Sequence, residues 1–176
     1  LVKELVHHEV ENGLQVVSEG EFGRSWWHLD FLWNLTGFEA YQQEDSYKFH
    51  GAKTRTTNVR INGKIAENPN HPFYRDFEYL KSVTPEGITP KVTIPSPSLI
   101  INRDHRSDLY ADYYDSWTDF LDDLAKAYHD TIQHFYDLGA RYVQLDDTTW
   151  GYLIQQFENE KNNPEKTAEL AKIAED

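Results

Sequence analysis

Apolar residues recur every fourth position at the start of the chain: Val2, Val6, Val10 and Leu14. This spacing draws one stripe along a helix and predicts an α-helix over residues 1–14. Leu1, Leu5, His8 and Asn12 run along another side, and Gly13 stands where a helix would stop. The β-branched run at 15–18 then predicts a short strand, closed by Glu19-Gly20-Glu21. The same design returns at residues 137–147. Leu121, Leu124, Tyr128, Ile132, Phe135 and Leu138 stripe a helix predicted over 117–138, with Ser116 as its N-cap and Asp119 three residues on. Gly139 ends that helix, and 141–145 reads as a strand running into Asp146-Asp147.

Between these two units the pattern changes. The stretch at 26–35 is dense in aromatics. Residues 51–66 alternate polar and β-branched side chains around Asn62-Gly63, which predicts a β-hairpin excursion from a parallel core. A helix is expected at 72–83 with Phe73, Phe77 and Leu80 on one face, then a turn-rich linker at 84–90 and a strand at 91–94. A polar amphipathic helix is expected at 164–176. Strands alternating with helices imply an α/β fold with a parallel sheet, in which ligands sit beyond the carboxyl ends of the strands.

Composition narrows the function classes. The chain has 176 residues, 39% hydrophobic and 27% charged, which suits one folded domain. Its formal net charge of −13 argues against a nucleic-acid partner, which would want a basic stripe. No apolar run approaches the roughly 18 residues of a membrane span, and no signal-peptide pattern is present, so a cytoplasmic setting is expected. There is no Cys, hence neither a disulfide nor a thiolate metal site within these residues. There is also no Met, even at position 1, so a fragment of a longer protein is expected.

Four carboxylates, Glu19, Glu21, Asp146 and Asp147, fall at predicted strand ends. They could hold an ammonium group, act as an acid/base pair, flank a sugar or contribute to a metal site. Capping of the following helices accounts for the same residues. Trp26, Trp27 and Trp33 could stack a flat ring, against the plainer alternative of core packing. The eight His residues are scattered without a His-Glu-x-x-His pattern. Arg103, Asp104 and Arg106 form a charged stretch that could bind a carboxylate or simply be solvated, and His28 and His105 sit in loops.

Three segments carry a more specific signal: residues 18–31 (SEGEFGRSWWHLDF), 92–98 (VTIPSPS) and 142–150 (YVQLDDTTW). In this order and spacing they resemble the cobalamin-independent methionine synthase family, specifically bacterial stand-alone relatives of its C-terminal catalytic half. The resemblance implies a (β/α)8 TIM barrel of the methionine synthase/uroporphyrinogen decarboxylase type, incomplete in this chain. It implies methyl transfer from a methylated folate or related donor to the thiol of homocysteine, with zinc activating the thiol. Glu21 matches the family's Gly-Glu glutamate and Asp146 the aspartate of its strand end, both expected to hold the substrate's amino group. Ser96 and Ser98 match the strand end that faces the pterin, and Trp26 is a further expected substrate contact. Asp147 and Thr148 depart from the family's Glu and Pro, which leaves donor and acceptor open. The family's zinc ligands, a His-x-Cys pair and later residues, fall downstream of position 176, so no metal ligand is expected here. Alkyl transfer to another thiol, as in the coenzyme M epoxide transferases, and a catalytically inactive binding barrel remain alternatives.

Overall fold

A computed structural model describes residues 1–42, 48–49, 52–53, 56–101 and 110–175. The charged stretch of Arg103, Asp104 and Arg106, together with His105, lies outside them. The chain begins with helix α1 (Val2–Glu11) and strand β1 (Val16–Val17), then helix α2 (Leu29–Leu32). Strands β2 (Thr36–Gln42), β3 (Lys48–Phe49), β4 (Ala52–Lys53) and β5 (Thr57–Ala66) follow, then helix α3 (Pro72–Val83). Strands β6 (Thr89–Pro90) and β7 (Val92–Pro95) lead to helices α4 (Ser98–Ile101) and α5 (Trp117–Asp137). Strand β8 (Val143–Asp146) and helices α6 (Thr149–Glu160) and α7 (Pro164–Glu175) complete it.

The α/β expectation holds. β1 pairs parallel with β6, and β7 pairs parallel with β8. β6 and β7 are one extended segment interrupted only at Lys91. Its Thr89 and Lys91 N–H groups donate to Gln15 and Val17 carbonyls at 3.0 and 2.8 Å. Its Val92 and Ser96 N–H groups donate to the opposite side, to Tyr142 and Asp146 carbonyls at 3.1 and 2.8 Å. Three parallel strands therefore lie side by side in sequence order, with the 89–95 segment in the middle. Among the described residues all pairings are two-stranded ladders, and none closes into a barrel.

The excursion forms differently from the expectation. Asn62-Gly63 is not a turn: β5 runs straight through it and pairs antiparallel with β2. The apolar alternation decides this, because Val59, Ile61 and Ile65 all face the core while Arg60 and Asn62 face out. Reversing the chain at Asn62 would take Ile65 off that face. Gly63 instead lies across from a β-bulge at Gly37, where φ is +85° and the register shifts between Thr36 and Phe38. A Cβ on Gly37 would sit 2.4 Å from the Lys64 carbonyl oxygen, so the bulge requires glycine. β3 also pairs antiparallel with β4; residues 51, 54 and 55 of the expected excursion lie outside the described set.

Helices cover one side of the parallel strands. Val6 of α1, Val17 of β1 and Leu80 of α3 form a small buried cluster. A larger core joins Phe31 and Leu32 to Phe73 and Phe77, Ile94, Phe120, Leu124, Tyr128 and Phe135, and takes in Phe38, Val59, Ile61 and Ile65 from the antiparallel pair. α5 starts as the sequence predicts, with the Asp119 N–H donating to Ser116 Oγ at 3.1 Å, and ends at Gly139 with φ of +103°. α3 has an unusual cap. Buried His71 accepts the Phe73 N–H on Nδ1 at 3.2 Å and lies 3.0 Å from the Phe31 carbonyl through Nε2. Both contacts are met by the neutral ring with its proton on Nε2.

Candidate functional site

The carboxyl end of β1 is built by a tight left-handed turn. Gly20 has φ of +68° and Glu21 φ of +57°. The left-handed φ favours glycine at position 20, where a Cβ would also push the Leu5 side-chain end aside. For Glu21 the left-handed backbone costs roughly 1–2 kcal/mol. The turn is held by the Glu21 N–H donating to Glu19 Oε2 at 3.1 Å.

Arg24, with its side chain only 3% exposed, is the hub of this end. Its Nη2 donates to Glu19 Oε1 at 2.7 Å and to the Thr93 carbonyl and hydroxyl at 2.9 and 3.1 Å. Its Nη1 donates to Glu21 Oε1 at 3.1 Å and to the Trp27 carbonyl at 3.4 Å. The guanidinium also lies over the Phe73 ring, 4.3 Å from its centroid. The Thr93 hydroxyl in turn donates to Glu21 Oε1 at 3.2 Å. Asp76 borders the network, and burial pushes its carboxyl above the ordinary carboxylate value, with Glu19 adding to the effect.

The ends of β7 and β8 carry a second polar row. In-register neighbours on parallel strands share a face, so Thr93 with Gln144 and Pro95 with Asp146 point to one side. Lys91 Nζ donates to Gln144 Oε1 at 3.0 Å, and Gln144 Nε2 donates to Asp146 Oδ1 at 2.6 Å. Beyond the strand, Thr149 Oγ1 donates to Ser98 Oγ at 3.1 Å and Ser98 Oγ to Ser96 Oγ at 3.0 Å. Asp147 serves the backbone, since its Oδ1 accepts the Thr149 N–H at 2.7 Å at the start of α6.

Glu21 and Asp146 therefore share one face without touching each other. Thr93, which bonds Glu21, lies one strand across and two residues back from Asp146. That offset is roughly 8 Å between Cα atoms, from the ordinary strand spacing and rise. Among the described residues Glu21 Oε2 and Asp146 Oδ2 accept no hydrogen bond. Ser96 and Ser98 are joined to each other, and Ser96 to Asp146 through the backbone. Trp26 packs at the edge of the larger core, edge-on to His28 at 6.2 Å, and its buried indole Nε1 has no hydrogen-bond partner among the described residues.

Arg24, Thr93, Lys91 and Gln144 escaped the sequence reading. Only Arg24 left a signal there, as the one cation amid three nearby acidic residues, and nothing in the sequence links position 24 to position 93. A cavity of about 10 Å³ between Glu19, Arg24, Asp76 and Lys91 has room for about one water. A wider cleft of about 330 Å³ lies away from the strand ends, beside His71, Tyr74 and His134. Among the described residues no three His, Asp or Glu side chains converge to hold a metal ion, and no helix is long and apolar enough to cross a membrane.

No protein-family model matches the chain. Two uncharacterised Bacillus subtilis proteins are similar to it: YxjG, 40% identical over 153 residues, and YxjH, 37% identical over 154. These alignments take in 86% and 88% of this chain but only 39% and 40% of the two relatives. A methionine synthase from Sulfolobus acidocaldarius is 28% identical over 81% of the chain and 39% of its own length. Among solved structures, a provisionally named vitamin-B12-independent methionine synthase from Listeria monocytogenes superposes with a TM-score of 0.68 at 40% identity. That match covers 86% of this chain and 41% of the Listeria chain. The B12-independent methionine synthase of Shewanella sp. W3-18-1 shares the fold with a TM-score of 0.61 at 16% identity, over 90% of this chain and 43% of the other. The chain thus spans about two-fifths of the relatives it matches.

Proposed function

From its kinship with the cobalamin-independent methionine synthases, we propose that this chain supplies the amino-acid-binding side of a methyl-transfer site whose acceptor is the thiol of homocysteine. The carrying observation is the pair of carboxylates, Glu21 and Asp146, on one face at or past the carboxyl ends of β1 and β8, the two parallel strands that flank the 89–95 segment. Linked through Thr93, which bonds Glu21 and is the in-register neighbour of Gln144, the partner of Asp146, the two carboxylates can converge on one ammonium group. Each is fixed through one oxygen and has a second oxygen to offer. Around Arg24 the charges of Glu19 and Glu21 exceed that of the guanidinium by one, which favours a cationic ligand group.

In this reading Ser96 acts at the end of the Thr149–Ser98–Ser96 chain. Its oxygen accepts from Ser98, so its own proton is directed to a ligand, here the polar edge of a methylated pterin. The three strands in sequence order are the opening strands of a (β/α)8 barrel. Zinc, when bound in such an enzyme, holds the acceptor sulfur as a thiolate. The residues of this chain do not fit that role: there is no Cys and no converging ligand set among the described residues, so any zinc takes its ligands from elsewhere. What these residues do is bind and orient. They fix the amino acid by its ammonium group so that its sulfur meets the methyl carbon in line.

The test is calorimetric titration of the intact protein with L-homocysteine under reducing conditions. Glu21→Gln and Asp146→Asn should each weaken binding by roughly 1.5–3 kcal/mol, the size of a hydrogen bond to a charged group. Zinc content should stay as in the wild type. Undiminished affinity in both variants, or loss of zinc with affinity intact, would sink the assignment.

A further inference from the structure

We propose that Arg24 and Thr93 are positioning residues for Glu21: a two-point brace that pins one carboxylate oxygen and so presents the other to the ligand's ammonium group. The inference rests on the reading of Glu21 as a ligand-binding residue and goes beyond it by naming what gives that residue its geometry.

The case begins with redundancy. If the buried guanidinium merely needed a counterion, Glu19 already provides one at 2.7 Å with 16% of its side chain exposed. Glu21 is the poorer structural partner, at 3.1 Å, 37% exposed and on a left-handed backbone. A strained, half-exposed second carboxylate adds little to holding Arg24, but Arg24 adds much to holding Glu21. The backbone strain sets where the side chain leaves the chain, and two donors set where it ends.

The Thr93 hydroxyl completes the brace. A hydroxyl has a single proton. It accepts from Arg24 Nη2 at 3.1 Å, so that proton goes to Glu21 Oε1 at 3.2 Å. Arg24 is also tied to the β7 backbone through the Thr93 carbonyl at 2.9 Å. Glu21, at the end of β1, is thereby referenced to the strand that pairs with β8, which bears Asp146. The two ammonium-binding carboxylates are held in one frame by a bond network rather than by direct contact. Thr93 is buried and therefore has a fixed rotamer from which to do this.

A double-mutant cycle on the intact protein tests the brace, with L-homocysteine and L-methionine as probes, Kd by calorimetry and folding followed by circular dichroism. Thr93→Val keeps the shape and removes the donor. It should weaken binding about tenfold, the scale of one hydrogen bond to a charged group, while Thr93→Ser restores it. In the Glu21→Gln background Thr93→Val should cause no further loss, because its effect runs through the Glu21 carboxylate. A merely structural Thr93 would instead lower affinity by the same factor in both backgrounds, and that result overturns the brace. Wild-type affinity in Thr93→Val overturns it too. If Thr93→Val does not fold, Arg24→Lys replaces it in the same cycle and is judged the same way. Failure of the wild-type protein to bind either probe would instead remove the ammonium-site reading, and the brace with it.

Discussion

At the scale of single residues, what matters is which groups are buried with their charge and which without. Arg24 is buried charged, and it survives because two carboxylates, a hydroxyl and two carbonyls meet its donors. His71 is buried neutral. Loss of solvent lowers its pKa from 6.5 to about 4, against an upward pull from the Phe31 carbonyl. Its folded pKa lies below its unfolded one, so the unfolded chain binds the extra proton between those values. The stabilisation from His71 is complete above pH 6.5 and is lost as pH falls toward 4, by roughly 3 kcal/mol in all. His71→Asn should be less stable at neutral pH, having lost part of the cap, but should show a flatter decline between pH 6.5 and 4. Urea unfolding of both proteins at several pH values checks this; parallel declines would refute it. The sequence marked His71 as one of eight scattered histidines and gave no hint that it caps a helix. Its partners on 31 and 73 meet only through the fold.

At the scale of elements, the regular repeats were readable and the irregular ones were not. The helix spacing set α1, α3, α5 and α7 to within a few residues, since α3 and α5 bury a stripe that recurs every three or four positions and α1 and α7 each centre theirs on one buried residue, Val6 and Leu170. α6 left no such trace: it buries Leu153 but exposes Trp150, Tyr152 and Ile154. The Asn62-Gly63 pair misled because its turn preference is local, whereas burial of Ile61 and Ile65 on one face is collective and larger. Gly37 is where that competition is resolved, through a bulge with no room for a side chain. Gly37→Ala combines a positive φ with a 2.4 Å clash against backbone, so it should destabilise by about 3 kcal/mol. Gly63→Ala, at 3.8 Å from its nearest neighbour, should cost far less. Thermal unfolding of the two variants gives the ranking, and equal losses would contradict the bulge account.

At the scale of the whole molecule, among the described residues β8 ladders with β7 alone. Leu145 on that strand is 47% exposed, and Trp150 and Ile154, one helical turn apart on α6, are 55% and 62% exposed. An exposed apolar helix face, and a strand edge unpaired among the described residues, each favour association. The 176-residue chain on its own should therefore self-associate with rising concentration despite its net charge of −13. Trp150→Lys with Ile154→Lys should shift sedimentation toward monomer; a wild-type chain that stays monomeric throughout would rule this out. The sequence by itself determined the alternation of helix and strand, the glycine that ends α5, and the carboxylates at strand ends, because these depend on neighbours within one or two turns of chain. Only the tertiary structure decided that Asn62-Gly63 lies inside a strand, that Asp147 accepts the Thr149 N–H while Asp146 shares a face with Thr93, and that Thr93 reaches Glu21 across 72 positions. Those outcomes depend on strand register and on a buried cation seeking partners. Such partners come together in space through packing, and spacing along the chain does not encode them.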